Sequence, residues 1–518
     1  MHISRPSTVF LSFATILSLA LAGATARADV VTDWNVIATT AIPAGGLNFP
    51  AIQGSRILAM THAAIHDALN AIDRRYKPYA MDRLAEPGAS PEAAVAAAAH
   101  DVLVAQIPAQ QATLDAAYAS SLAGVPDGAA KTRGVAIGQA AAAAILALRI
   151  ADGSNAPMPY TPGTGPGAWQ PTPPAFLPAA LPGWGQATPF ALSSGAQFRP
   201  ARPSYFDLTG VEYAADYNEE KSIGDAGSAT RTAEQSEIAR FWYEASPFGW
   251  NRIARNVLAQ RSLDQWESAR LFALLNFAMA DGFIAGFEAK YFYNFWRPVT
   301  AIRAGETDDN PDTVADPAWN SFLVTPNIPD YPSTHSVLGA AAAEVLARFF
   351  GEDAIGFTTT SGAPFPGITR SFTSFSQAAR ENADSRVYAG IHFRSACRDG
   401  LIQGAQVGQY AFGHTLRPAF DTCLQDDLSG DILRFNSASG DYQFLRCGAN
   451  GFTLIGRGDV RQVGCVLLLS DARVKAEIIH CPVAPPNRGH ATVRATPLGP
   501  ALVINDRDTN NNNCVCPL

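Results

Sequence analysis

Up to residue 420 the apolar residues of this chain recur at helical spacing and scarcely ever alternate, and that pattern constrains the fold more than any other feature. Runs such as Ile57-Leu58-Ala59-Met60 through Ile72, and Ala136 through Leu148, put apolar side chains on one helical face. Pro108, Pro126 and Gly128 divide residues 52–149 into successive helices. Helical pattern returns from Thr232 to Arg297, from Ser336 to Phe350 and from Gln377 to Arg417, with Thr232-Ala-Glu-Gln235 as a capping box. Residues 153–203 turn abruptly to Pro, Gly and Ala, a stretch too long for an ordinary loop, and are expected to wrap a surface or wall a site. After Cys423 short runs such as Phe452-Thr-Leu-Ile455 and Val463 to Leu469 alternate with turn residues, as in a small β module. The pattern predicts an all-α architecture: an N-terminal helical part over 29–152, a connecting segment over 153–204, a second helical part over 205–420, and a β-rich module over 423–518.

The 518 residues, 47% of them hydrophobic, are enough for more than one buried core. A formal charge of -8 gives no sequence-wide attraction to nucleic acid or anionic membrane, so an anion site here must be a local concentration of cations. Residues 1–28 read as a Sec-type signal peptide: Arg5 supplies a basic start, Val9 to Leu21 is apolar, and Ala26-Arg27-Ala28 is a cleavage pattern. Export to the periplasm or the medium follows, with two arginines removed and the charge lowered to -10. The best later apolar stretch, Leu271 to Phe287, is interrupted by Asn276 and Asp281, so no membrane span is expected. All seven cysteines lie at or after Cys397, and six fall between Cys423 and Cys516, which in an exported chain points to a disulfide-stapled tail. Cys465 and Cys481 straddle a turn, and Cys514 and Cys516 could close onto Cys423 and Cys447; the pairing is left open, and Cys397 reads as a buried thiol.

Three segments carry candidate chemistry. In Lys290-Tyr-Phe-Tyr-Asn-Phe-Trp-Arg297-Pro298 two cations seven residues apart share a helical face, roughly 10 Å apart along the axis, and Phe292, Phe295 and Trp296 offer apolar packing. Pro332-Ser333-Thr334-His335 opens an Ala-rich helix, so free backbone N–H groups gather there with a histidine poorly placed to stabilise the dipole. In Ser385-Arg386-Val-Tyr-Ala-Gly390-Ile-His392 the spacing keeps Arg386 and His392 off one regular face, so Arg386 is expected to reach in from a preceding turn. Singly, these segments read as solvated cations, a plain cap and an ion pair with Asp384 or Glu381.

Taken together, their order and spacing resemble the vanadium-dependent haloperoxidase and type 2 phosphatidic acid phosphatase superfamily, whose signature is Lys-x6-Arg-Pro, Pro-Ser-x-His and Ser-Arg-x3-Gly-x-His. Asn294 to Pro298, Ala301-Ile-Arg303 and Gly390-Ile-His-Phe-Arg394 look like the bacterial haloperoxidase branch, and weaker similarity runs from Met60 to about Leu416. The resemblance implies helical bundles of the haloperoxidase type and vanadate as cofactor, with His392 as axial vanadium ligand. Lys290, Arg297 and Arg386 would neutralise the oxygens, Ser333 and the Thr334 N–H would donate to them, and His335 would move protons. It implies hydrogen peroxide, halide and a small organic acceptor as partners, and leaves room for a homodimer. A secreted acid phosphatase, needing no metal and passing through a phosphohistidine at His392, would use the same residues; an exported binding protein would not need them. Thr334 stands where many members have Gly and is expected to narrow the pocket. Ala396 stands where many place Asp, so a carboxylate orienting His392 is absent or comes from elsewhere. His62, His66 and Asp67 have metal-ligand spacing on a helix but no evident third ligand, and read as a core pair.

Overall fold

The computed structural model describes residues 29–84 and 88–419 throughout and, past residue 419, the backbone of eight strands. The first helical part comprises α1 (Val30–Ala41), α2 (Pro50–Ile72), α3 (Pro91–Gln106), α4 (Gln111–Ala123) and α5 (Ala129–Arg149). The second comprises α6 (Val211–Ile223), α7 (Ala233–Phe241), α8 (Ser246–Leu258), α9 (Gln265–Tyr293), α10 (Pro298–Arg303), α11 (Thr334–Phe350), α12 (Phe375–Tyr388) and α13 (Arg394–His414). The predicted breaks between α3, α4 and α5 are present, as is the capping box of Thr232 and Gln235. One departure is a hairpin of β1 (Phe357–Thr360) and β2 (Thr369–Phe372), whose inward Phe357 packs on Phe372 and on Phe375 of α12; four residues per strand are too few for a visible alternation.

Helix α9 is the axis of the molecule. A capping box of Asp264 and Glu267 starts it, and α2, α11 and α13 pack around it. Among the described residues it is the helix long and apolar enough to cross a membrane, but its apolar window is wholly buried inside the protein. Both helical parts contribute to one continuous apolar core along it, so they share a single packed interior. Helix α13 crosses α11 at very short range because Gly400, Gly404 and Gly408 recur every fourth residue on the contact face. A Cβ at these positions would stand 2.7, 2.1 and 2.5 Å from the carbonyl oxygens of Ser333, Val337 and Ala341.

The Pro- and Gly-rich segment wraps α9, as expected of it. The Asp281 carboxylate accepts three backbone N–H groups, from Phe190, Ala191 and Leu192, at 2.6–2.9 Å. Arg199 pairs with Glu288, Tyr291 donates to the Ala180 carbonyl, and Tyr293 donates to the Pro200 carbonyl. Asn327 is held on both sides, with Ala180 N–H donating to its carbonyl and its own amide donating to Pro178. The segment thus covers α9 while bracing the loop that precedes α11.

Six strands from Thr422–Gln425 to Glu477–Ile479 pair antiparallel in chain order, and Ala491–Thr496 pairs with Gly499–Ile504. The cysteine pairings anticipated for the tail, and the signal peptide, lie outside the described residues.

Candidate active site

Lys290 occupies the last turn of α9, but Arg297 is not its neighbour on a longer helix. Asn294 takes the left-handed conformation, φ 53°, and ends α9; Arg297 then caps α10, with Pro298 in its first turn. The reversal, rather than helical period, aims both cations at one loop. Lys290 Nζ donates to the carbonyls of Pro329 and Asp330, each at 2.7 Å. Arg297 Nε donates to the Ile328 carbonyl at 2.7 Å and Nη1 to the Ile391 carbonyl at 2.6 Å. The aromatic residues between them divide: Phe295 and Trp296 are buried, whereas Phe292 is 59% exposed under the Arg199 guanidinium.

Ser333 caps α11 as expected, its Oγ accepting from Ser336 N–H, so its hydroxyl proton stays free to donate. The first N–H groups of α11 have no intrahelical carbonyl to reach. The Thr334 side chain packs toward α9. Its methyl lies against Gly286 of α9, 2.7 Å from where a Cβ there would sit. His335 is half-buried in the first turn, with Nε2 3.2 Å from the Glu244 carbonyl. A carbonyl only accepts, so Nε2 carries the proton and Nδ1 the lone pair. Arg386 lies in the last turn of α12 rather than in a turn before it, and Gly390, φ 79°, reverses the chain to bring His392 back beside it. The anticipated ion pairs for Arg386 are not made: Asp384 pairs with Arg394, and Glu381 with Arg370. Arg386 instead has one long bond from Nη1 to the Trp242 carbonyl, 3.4 Å, and lies over the Tyr243 ring.

Lys290, Arg297, Arg386 and His392 are all buried, at most 2% exposed. Arg297 Nη1 stands 2.9 Å from His392 Nε2, while Arg297 Nη2 and Arg386 Nε have no partner among the described residues. Burial first, and neighbouring cations second, push the Lys290 ammonium and both imidazoles well below their ordinary values. Both guanidinium groups fall to about 10, for Arg297 and Arg386 alike chiefly through burial. A cluster of buried like charges with unfilled donors is tolerable when an anion fills it.

One residue of the site carries no motif and was not anticipated. The Asp330 carboxylate, fully buried, lies 2.8 Å from His392 Nδ1 and 3.8 Å from Arg297 Nη1. Burial raises it to about 7, against the pull of Arg297 and Lys290. The Tyr205 hydroxyl adjoins it, in an aromatic cluster with Phe206, Phe295, Trp296 and Phe393 that backs the site. Ala396 is buried in the same cluster, its carbonyl accepting from Ser333 N–H, so the carboxylate missing there is supplied from the loop before α11. His62 and His66 are fully buried, His62 bonded to Asn35 and His66 beside Asp67, and no metal-ligand cluster of three occurs among the described residues.

The fold and site define a helical-bundle protein with a buried cluster of cations and imidazoles. The donor set suits tetrahedral vanadate or phosphate: two guanidinium groups with free N–H, an ammonium, a free serine hydroxyl and a helix N-terminus. Residues 270–419 match the family model of the VCPO second helical-bundle domain. The vanadium chloroperoxidase of Curvularia inaequalis is 27% identical over 248 residues, 36% of this chain and 40% of that enzyme, so the match spans well under half of the relative. A solved structure described as the first bacterial vanadium-dependent iodoperoxidase superposes with a TM-score of 0.63 at 27% identity, over 75% of this chain and 96% of that one. A holo bacterial vanadium-dependent chloroperoxidase shares the fold, with a TM-score of 0.59 at 18% identity over 73% of this chain and 96% of that one. Residues 270–419 thus carry a helical-bundle domain of the vanadium chloroperoxidase type, and the chain as a whole is similar to vanadium haloperoxidases.

Proposed function

We propose that this protein is a vanadate-dependent haloperoxidase, oxidising halide with hydrogen peroxide to hypohalous acid that halogenates small organic acceptors. The observation that carries the reading is the pair of buried guanidinium N–H donors without partners among the described residues, Arg297 Nη2 and Arg386 Nε, beside the lone pair of His392 Nε2. His392 would ligate the vanadium, and Lys290, Arg297, Arg386, Ser333 and the Thr334 N–H would hold the oxygens. Vanadate, when bound, supplies Lewis acidity that polarises peroxide toward attack by halide. The chain does the rest. Lys290 and Arg297 are anchored on backbone carbonyls and hold their charges in place before any ligand arrives. His335, kept neutral by burial and by Arg386, offers Nδ1 as the atom that takes and returns a proton. The reading includes export through the signal peptide and a disulfide-stapled tail.

The test is one purified preparation assayed with and without added vanadate. Halide-dependent peroxide consumption that requires vanadate supports the reading. Metal-free hydrolysis of a phosphomonoester, inhibited by vanadate, would instead assign an acid phosphatase acting through His392. His392→Ala should abolish activity, and a variant that remains active removes this pocket as the site.

A further inference from the structure

We propose that Asp330 is the positioning residue of this pocket, holding His392 so that Nε2 presents its electron pair to the bound oxyanion. The inference rests on the oxyanion reading and deepens it. Two independent neighbours dictate the same form of the imidazole. Arg297 is donor-only, so Nε2, 2.9 Å from its Nη1, must accept; the Asp330 carboxylate, 2.8 Å from Nδ1, only accepts when ionised, so Nδ1 then carries the proton. When Nε2 turns to an oxyanion it leaves Arg297, and Asp330 alone then fixes the ring. The ring lies off the line of an ideal bond to Asp330, so the contact has slack that a ligand on Nε2 can take up. The loop itself is rigidly placed: Asp330 N–H donates to the Phe295 carbonyl at 2.9 Å, and its own carbonyl accepts Lys290. One loop residue therefore ties the cations of α9 and α10 to the histidine before α13.

The sign of one measurement separates positioning from simple charge balance. Asp330 is a negative charge among cations, so by Coulomb's law alone its removal should tighten anion binding. A positioning role predicts the opposite. In the full-length, vanadate-free protein we expect Asp330→Ala and the nearly isosteric Asp330→Asn each to weaken binding of inorganic phosphate and of vanadate. Titration calorimetry should read a loss of about 10–100-fold, the range for outer-sphere partners of ligating histidines. In the same proteins labelled with nitrogen-15, the His392 Nδ1–H resonance should be downfield and slow to exchange in the parent and should move upfield in both variants. Unchanged or tighter anion binding overturns the proposal. So does weaker binding with an unmoved Nδ1–H resonance, which would make Asp330 a counter-ion only. A parent that binds neither anion sinks the oxyanion reading and this role with it, whereas a loss confined to the variants separates the two.

Discussion

At the scale of single residues, burial decides the chemistry. Arg386 makes one long backbone bond and keeps Nε free, so its guanidinium is available to a ligand. Arg386→Lys removes that planar fork and should weaken phosphate binding about 10–100-fold by calorimetry, from roughly 1.5–3 kcal/mol per charged hydrogen bond. His335 lies well below its ordinary value through burial, then Arg386. Its neutral form therefore contributes stability above the unfolded value, lost as pH falls through the folded one. A bound oxyanion opposes the cations that push it down, so phosphate binding near neutral pH should take up protons. The binding heat should then vary with the ionisation enthalpy of the buffer, and less so in His335→Ala. Glu220 behaves oppositely: it is fully buried, both oxygens lack partners among the described residues, and burial followed by the Asp330 charge raises it far above an ordinary carboxyl. Its contribution is favourable only at low pH and is lost as pH rises toward the folded value. Glu220→Gln should therefore stabilise the protein by about 1–3 kcal/mol, with the gain in Tm wider at pH 8 than at pH 5 in parallel thermal melts.

At the scale of elements, close contacts between helices set the positions of the site groups. The Thr334 methyl fills a notch at Gly286, so Gly286→Ala should displace the start of α11 and weaken phosphate binding. Adding Thr334→Gly should restore it, with a coupling of about 0.5–3 kcal/mol in the double-mutant cycle; additive effects would mean the notch is incidental. Gly404→Ala drives a Cβ into the Val337 carbonyl and should cost about 1–3 kcal/mol in denaturant unfolding. What the sequence disclosed at this scale was existence, not boundaries. The Lys290, Arg297, Ser333, His335, Arg386 and His392 motifs named the groups that do converge. Periodicity ran unbroken through Asn294, because a left-handed residue leaves no trace in an apolar pattern, and so the route by which Lys290 and Arg297 meet was misread. Asp330 was missed for a related reason. Its partner is sixty-two residues away, and one acidic residue in a loop resembles any solvated turn until the fold buries it.

For the whole molecule, the apolar core draws on residues from Val31 to Leu416, and every group of the site lies within that range. A chain ending after Ala419 should fold, melt near the parent temperature and bind phosphate as tightly; loss of binding would assign the β-rich tail a part in the site. The anchoring of Lys290 and Arg297 on backbone carbonyls has a practical corollary. Those charges cannot swing out to water when the pocket empties, so the interior keeps an appetite for any compact polyanion in its surroundings. Preparations made in phosphate or sulfate should carry a passenger that competes with any oxyanion added later, and the history of the buffer should shift the affinity that calorimetry reads.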